Sequence, residues 1–176
     1  MLRELSFTDD RKLIEQFRRD CYKGTLNRVL DDFDEKAHHF ALFDEHEEIQ
    51  AMARILRSDE VQPFELFLEP KAQGLALPTH GLGLESSRVC AKDGSAGTYL
   101  LRLCLGVNDY AVRSRADYLI AKTVPHLLPI YLQFGFKVFG EPFISDWFSD
   151  NRTVFPIMYR WDNEPPAAED DSVFVW

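Results

Sequence analysis

The sequence predicts an α/β protein in which helices cover both faces of a mixed β-sheet. Two observations indicate this class. A helical pattern followed by a strand hairpin opens the chain, and strand and helix patterns alternate through its second half. The 176 residues, of which 45% are hydrophobic and 28% charged, suffice for one globular domain with a buried core. We therefore expect a single domain over residues 1–161 and a flexible acidic tail over residues 162–176.

The first half of the chain is expected to hold a helix, a strand hairpin and a long connection. Apolar residues recur at helical spacing in the helix, and Thr8 or Asp9 can accept the hydrogen bond that caps its start. The expected elements are a helix over residues 9–22, strands near His39–Phe43 and Gln50–Arg57, and an irregular connection over residues 59–80 with one short helix near Glu65.

The second half is expected to alternate between strands and helices. Pro125 is expected to open a helix, because proline is tolerated in a first helical turn. The expected elements are a central strand over residues 82–91, a helix over residues 98–114, a strand over residues 117–122, a helix from Pro125 to Phe134, a strand near residues 136–139 and a last strand over residues 153–161.

A polar run interrupts the central strand at Glu85, Ser86, Ser87 and Arg88. Charged side chains in a core strand are costly unless they are paired, because a buried ion loses most of its hydration. The run therefore either crosses a cleft in which a substrate supplies partners, or forms a structural ion pair inside the domain. Strand spacing alone leaves both interpretations open.

A turn of small residues follows the central strand. Backbone N–H groups at Ser95, Ala96 and Gly97, together with the positive end of the following helix, can bind a phosphate or the pantetheine arm of a thioester donor. A plain strand-to-helix connection has the same composition, so this turn alone does not decide between the two.

Charge and composition argue against several classes of protein. The net charge of −9 argues against nucleic-acid binding through a positive field over the whole surface. No apolar run approaches the roughly 20 residues that a membrane helix needs. The N-terminal residues lack the apolar segment of a signal peptide. We expect a cytoplasmic protein without a membrane span.

The spacing of cysteine and histidine predicts no metal site. Cys21, Cys90 and Cys104 are odd in number and scattered through apolar or helical contexts, so we expect free, buried thiols. His38 and His39 have no partner at the spacing of metal ligands and are interpreted as strand-edge residues.

Five short segments together carry a family resemblance. They are Arg18 with Tyr22, Asp31-Asp-Phe-Asp34, Arg54-Ile-Leu56, Glu85-Ser-Ser-Arg-Val89 and Phe134-Gly-Phe-Lys-Val-Phe-Gly-Glu-Pro142. Over residues 15–160 the chain resembles the GNAT-like N-acyltransferases that include the acyl-homoserine-lactone (autoinducer) synthases and the N-acyl amino acid synthases. The segments are similar to that family's Arg-x-x-x-Phe helix, its Asp-x-Phe-Asp segment, its Arg-Leu-Leu and Glu-x-Ser-Arg-Phe strands, and its closing Leu-Gly-Glu-Pro segment. Each segment is common alone, whereas their shared order is specific.

The departures from the family pattern concern the acceptor. The lactone synthases have a Trp between the first helix and the acidic segment, and residues 23–30 contain none. Leu84 stands where they have a Trp before the strand's Glu, and Arg57-Ser58 replaces their Pro-Thr. These differences argue against S-adenosylmethionine as the acceptor and favour the N-acyl amino acid synthases.

The resemblance implies an enzyme that transfers a fatty acyl group from acyl carrier protein to the amine of an amino acid or a related small molecule. The donor group is then acyl-4'-phosphopantetheine on the carrier, or acyl-CoA, and no cofactor or metal is tightly bound. Three alternatives stay open. They are a lactone synthase that uses S-adenosylmethionine, an acetyl-CoA-dependent acetyltransferase with a degenerate loop at Lys92–Gly97, and a non-catalytic domain that binds an acyl group or a partner.

The resemblance also implies the roles of the site residues. The catalytic residues are Glu85 as proton acceptor through a water molecule, Asp31 and Asp34 as ammonium-binding or alternative acids, and Ser87 and Arg88, of which Arg88 holds the site's shape. Arg18, Tyr22 and Arg54 bind the acceptor, with Arg18 or Arg54 holding its carboxylate. Backbone groups of Val89, Cys90, Ser95, Ala96 and Gly97 bind the acyl donor. Solvated loop acids and a structural Arg54 ion pair are the alternatives.

Two surfaces of the molecule follow from this function. Carrier proteins are acidic, so docking needs a local basic patch, for which the candidates are Lys92, Arg102, Arg113, Arg115 and Lys122. Scattered solubilising charges are the alternative. An apolar tunnel for the acyl chain can be lined by six of the fourteen phenylalanines, namely Phe64, Phe67, Phe134, Phe136, Phe143 and Phe148.

Overall fold

The computed structural model describes residues 1–93 and 96–161, with the exception of the Ala96 side chain. The predicted tail over residues 162–176 lies outside the described residues. The strands are β1 Leu2–Leu5, β2 His38–Phe43, β3 Ile49–Arg57, β4 Gly83–Ala91, β5 Tyr118–Thr123, β6 Lys137–Val138, β7 Phe143–Ile144 and β8 Thr153–Arg160. The helices are α1 Phe7–Tyr22, α2 Ala96–Arg113 and α3 Leu128–Gln133, with short 3-10 helices at Asp34–Lys36, Glu65–Leu68 and Pro70–Ala72.

The strands form one mixed sheet in the order β1-β2-β3-β4-β5-β8-β6, with β7 paired to β8. The neighbouring strands are antiparallel except β4 and β5, which run parallel. A parallel pair needs a crossover connection, and α2 supplies it. β4 is the fourth of the seven strands in this order and is therefore the central strand of the described sheet.

Helices lie on both faces of the sheet. Leu103 and Val107 of α2 pack on one face, against Ala53 and Ile55 of β3 and their neighbours. On the other face, α1 packs against the β2–β3 end of the sheet, and the 3-10 helices of residues 65–72 cover β5. The prediction of a mixed sheet with helices on both faces is confirmed.

The ends of two helices differ from the prediction. α1 begins at Phe7, because Ser6 rather than Thr8 or Asp9 is its cap. The Ser6 hydroxyl accepts the Asp9 N–H at 3.4 Å. α3 begins at Leu128 rather than at Pro125. The backbone N–H groups of Leu127 and Leu128 both donate to the carbonyl of Val124, which closes a turn around Pro125. The regular helix starts after that turn.

The sequence prediction did not include β1 and β7. They have four and two residues, which is too short for a periodic pattern to be recognised. β1 is defined by its antiparallel pairing with β2 at the sheet edge. Within residues 1–93 and 96–161, no helix combines the length and apolar content that crossing a membrane requires.

Candidate active site

β4 carries a bulge inside the polar run. One residue of β3, Ala53, lies opposite two residues of β4, Arg88 and Val89. Arg88 has a φ of 53°, in the left-handed region that glycine adopts without strain and other residues rarely adopt. The bulge places the Arg88 and Ser87 side chains on one face, where both join the ion pairs described below. Local backbone strain of this kind clusters at functional sites.

β4 and β5 separate just before this bulge. Their parallel pairing ends at Ser86 and Ala121, although β4 continues to Ala91 and β5 to Thr123. The second half of β4 is therefore not paired with β5 along that edge. Backbone N–H and C=O groups at an unpaired edge need partners, and a ligand can supply them.

An apolar cavity of about 350 Å³ opens at this separation. Ser86, Val89 and Ala121 line it from β4 and β5, and the remaining walls come from β3, α2, α3 and the β6–β8 end of the sheet. A second apolar groove of about 210 Å³ shares lining residues with the cavity and reaches Gly97 in the first turn of α2. The cavity volume lies in the range of small-molecule sites, about 300–1,000 Å³.

A network of buried ion pairs occupies the opposite face of the sheet. Arg54 is at its centre and is 0% exposed. Its guanidinium donates to Asp31 at 2.6 Å, to Asp34 at 3.1 Å and to the Ser87 hydroxyl at 3.0 Å, and it is also paired with Glu65. These contacts occupy all three guanidinium nitrogens, so Arg54 has no free edge for a substrate carboxylate.

Arg18 extends the network toward α1 and is also 0% exposed. It donates to Asp34 at 2.8 Å and to the carbonyl of Val29 at 3.2 Å, and it contacts Nδ1 of His39 at 3.1 Å. Burial lowers the pKa of His39. The neutral ring is therefore assigned to accept from Arg18 at Nδ1 and to donate from Nε2 to the Asp34 carbonyl, 2.9 Å away.

Arg88 lies in the bulge and is also a member of the ion-pair network. It pairs with Asp31 at 2.6 Å and with Glu65 at 2.8 Å. Its guanidinium carbon lies 4.6 Å from the centre of the Trp147 ring, a cation–π distance. Arg88 thus joins the loop of residues 31–34, the 3-10 helix of residues 65–68 and the β7–β8 loop at one point.

Lys122 of β5 completes the network on the far side of the separation. Its ammonium group is paired with Glu69, lies 3.7 Å from Glu65 and lies 5.3 Å from the centre of the Trp147 ring. Ser145 donates to Glu69 at 2.7 Å and lies 3.4 Å from the Lys122 ammonium. The sequence prediction placed Lys122 in a surface patch for carrier docking, and its burial in this network rules that role out.

Glu85 lies on this face of β4, beneath the 3-10 helix of residues 65–68, and is 1% exposed. Its Oε1 accepts the N–H of Leu66 at 3.1 Å, and its Oε2 has no hydrogen-bond partner among residues 1–93 and 96–161. Both carboxylate oxygens of each other network acid accept hydrogen bonds; these acids are Asp31, Asp34, Glu65 and Glu69. Glu85 is therefore the acid of the network with a carboxylate oxygen available for protonation.

The electrostatics of the network agree with this geometry. Burial raises the pKa of Glu85 to about 7, although nearby cations, first among them Lys122, oppose the shift. Burial also lowers the pKa of Lys122 to about 8, against the opposing charge of Glu69. For Asp34, burial alone would raise the pKa, but Arg18 and Arg54 outweigh burial and lower it. With Glu85 neutral, the network holds equal numbers of cations and carboxylates.

The predicted acceptor and donor residues divide between the two sides of β4. The Tyr22 hydroxyl donates to the carbonyl of Val89 at 2.9 Å, so the end of α1 is fixed to the bulge. Val89 and Cys90 lie just past the separation from β5, and Gly97 lines the apolar groove. Ser95 and the side chain of Ala96 lie outside the described residues.

The predicted carrier-docking patch does not assemble. Lys92 is paired with Glu48, and Arg113 with Asp109. Arg113 and Arg115 lie at the end of α2 that is remote from the separation of β4 and β5. A rise of 1.5 Å per residue puts roughly 26 Å between the two ends of this helix. Arg102 lines a different groove, beside the N-terminus and the β2–β3 turn.

Two of the six phenylalanines predicted for the acyl tunnel line the apolar cavity, and four do not. Phe134 and Phe136 line the apolar cavity. The other four phenylalanines pack in the core on the opposite face of the sheet, around β5 and the 3-10 helices; they are Phe64, Phe67, Phe143 and Phe148. Aromatic composition indicated a cavity but not which face each ring occupies.

Sequence reasoning missed several members of the network. His39 was expected at a strand edge, and it is 0% exposed, because Arg18 and the Asp34 carbonyl supply its partners. Glu65 and Glu69 lie four residues apart in a segment rich in Phe and Leu. Acidic residues in an apolar segment need partners if they are buried, and the same argument singled out Glu85. Trp147 and Ser145 gave no local signal, because only the tertiary fold brings their loop to β4.

Comparison with solved structures identifies proteins that share this architecture. The chain superposes on FeeM, an N-acyl amino acid synthase from uncultured soil microbes, with a TM-score of 0.70, 18% identity and coverage of 91% of this chain and 90% of FeeM. TofI, solved in a ternary complex with an inhibitor and MTA, gives a TM-score of 0.65, 21% identity and coverage of 91% and 90%. An acyl-CoA N-acyltransferase from Pseudomonas aeruginosa gives 0.63, 15% identity and coverage of 90% and 98%.

Sequence comparison adds no closer assignment. No protein-family model matches the chain, and no curated protein matches it in sequence. At these identities a structural likeness establishes the fold. The mixed sheet, the separated β4–β5 pair and these neighbours together show that the chain has the GNAT-type N-acyltransferase fold.

Proposed function

We propose that this protein is an N-acyltransferase that moves a fatty acyl group from a pantetheine thioester to the amine of an amino acid or a related small molecule. One observation carries the proposal. The separation of β4 from β5 opens directly onto an apolar cavity of about 350 Å³ on one face, and a buried ion network lies behind it on the other. That arrangement supplies a slot for a thioester arm, a space for a hydrocarbon chain and a polar side for an amine.

The donor binds along the second half of β4. The pantetheine amides pair with the backbone edge that β5 leaves unpaired after Ser86. A backbone N–H near Val89 or Cys90 then stabilises the oxyanion of the tetrahedral intermediate. Acyl carrier protein and acyl-CoA both end in the same 4'-phosphopantetheine arm, so the slot accepts either donor, and we favour acyl carrier protein from the family resemblance.

The acyl chain occupies the apolar cavity. Each buried methylene group contributes about 0.8 kcal/mol to binding, so an apolar cavity of this size favours a fatty chain over an acetyl group. Leu101 and Phe134 are exposed apolar residues that line both the cavity and the groove beside it. They mark the side from which the chain enters.

Glu85 serves as the proton acceptor, through the network or a water molecule. An α-amine with a pKa of about 8 is roughly one-tenth free base at pH 7, a handicap of about 1 kcal/mol. Positioning of the reactants can supply about 7–11 kcal/mol. The buried ion pairs of Arg54 and Arg88 therefore act mainly by fixing the loop of residues 31–34 and the shape of the acceptor side.

The acceptor's carboxylate binds at Arg28 rather than at Arg18 or Arg54, since both of those are buried and already paired with carboxylates of the network. Arg28 is exposed and has no ion pair within the described part of the chain. It lines a polar groove of about 510 Å³ between α1 and residues 24–30, together with Tyr22, whose hydroxyl contacts Val89. The groove therefore leads from the surface toward the bulge.

The function is tested by incubating the purified protein with palmitoyl- and acetyl-loaded donors, on CoA and on acyl carrier protein, and a panel of amino acids. Mass spectrometry should detect N-acyl amino acids from the long-chain donor. Products from the acetyl donor alone would replace the proposal with the acetyltransferase alternative, and acyl-lactone formed with S-adenosylmethionine would support the lactone synthase alternative. The absence of any transfer with every donor would contradict the enzymatic interpretation.

A matched pair of variants tests the acyl cavity. Leu101→Trp fills the shared wall of the cavity and the groove, whereas Val112→Trp places the same ring on an exposed position of the same helix, away from the cavity. Excluding two methylene groups costs about 1.6 kcal/mol, so kcat/KM for a long-chain donor should fall about tenfold or more in Leu101→Trp. Short-chain transfer and the Val112→Trp variant should change little. Equal losses in both variants would contradict the assignment of the cavity.

A further inference from the structure

Two cysteine side chains from different elements lie in one apolar cluster beside the bulge. Cys21 lies in the last turn of α1, and Cys90 lies in β4. Both side chains pack in the apolar cluster that contains Ile14 and Phe17, and neither cysteine is in a disulfide. The third cysteine, Cys104, belongs to α2 on the opposite face of the sheet, where it lines the apolar cavity.

The two thiols are chemically unlike. Cys21 is partly exposed, and the hydrogen bond from Cys90 lowers the pKa of its thiol despite opposition from burial and from Asp20 and Asp93. Cys90 is buried, and the same hydrogen bond together with burial raises the pKa of its thiol. A thiolate is the reactive form toward oxidants, and reactivity also needs access. Cys21 therefore has the properties of the thiol that reacts first, and Cys90 those of its resolving partner.

The pair joins the same two segments as two non-covalent contacts. The Tyr22 hydroxyl donates to the carbonyl of Val89, and Lys23 is paired with Asp93. Three consecutive residues at the end of α1 thus contact the part of β4 beyond its separation from β5, or the turn that follows. A covalent bond at the first of these positions would hold that part of β4 to α1.

We propose that Cys21 and Cys90 are a peroxide-sensitive modification site that closes to a disulfide. The Cys21 thiolate attacks one oxygen of a hydroperoxide, which breaks the O–O bond, gives the sulfenic acid and releases hydroxide or alkoxide. The sulfur of Cys90 then attacks the Cys21 sulfur, its proton leaves with the departing hydroxyl as water, and the S–S bond forms. With hydrogen peroxide, two thiols and one peroxide give one disulfide and two waters. Disulfides in reducing compartments are usually of this transient, redox-sensing kind.

The modification tightens α1 onto β4. A disulfide brings the two sulfurs to about 2.05 Å, closer than two thiols in hydrogen-bond contact. Local opening of the α1 end away from β4 then requires the cross-linked segments to move together. Backbone amides of both segments should exchange with solvent more slowly in the oxidised protein. This expectation does not depend on the proposed acyl transfer.

The test treats the full-length protein with hydrogen peroxide and digests it without reduction. We expect a cross-linked peptide pair containing Cys21 and Cys90, lighter by two hydrogen atoms than the sum of its peptides and separated by a reducing agent. Hydrogen exchange should slow at the end of α1 and in β4 of the oxidised protein and recover on reduction. Over-oxidised Cys21 with a free Cys90, a cross-link through Cys104, or unchanged exchange in fully cross-linked protein would each overturn the proposal.

Three variants fix the order of the steps. Cys90→Ser should accumulate a Cys21 sulfenic acid, trapped by a cyclic diketone reagent, because its resolving thiol is absent. Cys21→Ser, at the partly exposed position, should leave Cys90 unmodified under the same treatment. Cys104→Ser should form the cross-link as readily as the unaltered protein. Sulfenic acid at Cys90 in Cys21→Ser, formed as fast as at Cys21 in Cys90→Ser, would contradict the assigned roles.

Discussion

At the scale of single residues, Glu85 gives the clearest kinetic prediction, because one of its carboxylate oxygens accepts no hydrogen bond from the described residues. Glu85 must be ionised to take a proton, and burial raises its pKa to about 7. The kcat/KM of the unaltered protein should therefore rise from pH 6 to 8. Glu85→Gln keeps an oxygen for the Leu66 N–H and removes the ionisation. We expect a fall in kcat/KM of about 100-fold, the lower end of the range for general-base catalysis.

The pH profile of Glu85→Gln separates this role from a purely structural one. The variant should lose the limb near pH 7 and keep the limb near pH 8 that belongs to the acceptor's own α-amine. Acyl transfer with an unchanged rate and an unchanged profile in a correctly folded Glu85→Gln protein would remove Glu85 from the mechanism.

Arg28 gives a second prediction at this scale. Arg28→Gln should raise the KM for an amino acid acceptor about tenfold or more, because a hydrogen bond to a charged group contributes about 1.5–3 kcal/mol. The corresponding amine without the carboxylate should be acylated with little change. Lys12→Gln, on the exposed side of α1 and outside the groove, is the matched control. An equal rise in KM for both acceptors would contradict carboxylate binding at Arg28.

The sequence predicted some of these residues and not others for a physical reason. A charged run in an apolar strand is itself unusual, so Glu85 and Arg88 were found from their context. Arg18 and Arg54 were predicted as site residues, but their buried partners were not, because acids from residues 31–34 and 65 reach them only in the folded chain. For this reason we propose the exposed Arg28, rather than either of these arginines, as the residue that binds the acceptor's carboxylate.

At the scale of elements, the 3-10 helices of residues 65–72 are bound to the sheet largely through charge. Glu65 pairs with Arg54 and Arg88, and Glu69 pairs with Lys122. Glu65→Gln removes the charge that two buried arginines share. Breaking one partner of a buried pair costs about 3–5 kcal/mol, because the remaining charge stays desolvated. The midpoint of urea unfolding should fall accordingly.

Glu60→Gln is the matched control for this substitution. Glu60 is more than one-third exposed and pairs at the surface with Arg57 and His38. Surface pairs contribute little to stability, so its urea midpoint should stay close to that of the unaltered protein. Similar midpoints for the two variants would show that packing, rather than charge, holds the 3-10 helices.

The main strands and helices could be predicted from periodicity, and the short elements could not. Helical spacing located α1 to within two residues at its start, and apolar runs located β3 and β4. The break between β4 and β5 has no sequence signature, since it depends on how far two strands stay parallel in space. The bulge at Arg88 has no sequence signature either, because it depends on the register between β3 and β4 in the folded sheet.

At the scale of the whole molecule, Glu85 makes stability depend on pH. The folded protein holds the Glu85 proton up to about pH 7, whereas an unfolded chain releases it near 4.5. The folded state therefore binds more protons between these values, and the free energy of unfolding falls as pH rises from 5 to 8. Glu85→Gln lacks this loss, so it should be more stable than the unaltered protein at pH 8 by about 3 kcal/mol, and the difference should shrink at pH 5.

Two other groups limit the window in which this comparison is made. The lowered pKa of Asp34 stabilises the folded state at neutral pH and loses that contribution as pH falls through the acid range. Lys122, with a pKa lowered to about 8, favours folding as pH rises above that value. The difference in unfolding free energy between the unaltered protein and Glu85→Gln at pH 5, 6, 7 and 8 cancels the contributions that the two proteins share, and so reports on Glu85. A constant difference between the two proteins across these points would contradict its titration in the folded state.

The ion network draws its members from Arg18 near the start of the chain to Trp147 near its end. During synthesis on the ribosome, the acids at 31, 34, 65, 69 and 85 emerge before Lys122 and before the indole that covers Arg88. A nascent chain shorter than about 122 residues therefore lacks the lysine of the network, and one shorter than about 147 residues lacks the indole ring over Arg88. Prematurely terminated chains should consequently fail to complete the network and should be degraded as unfolded protein.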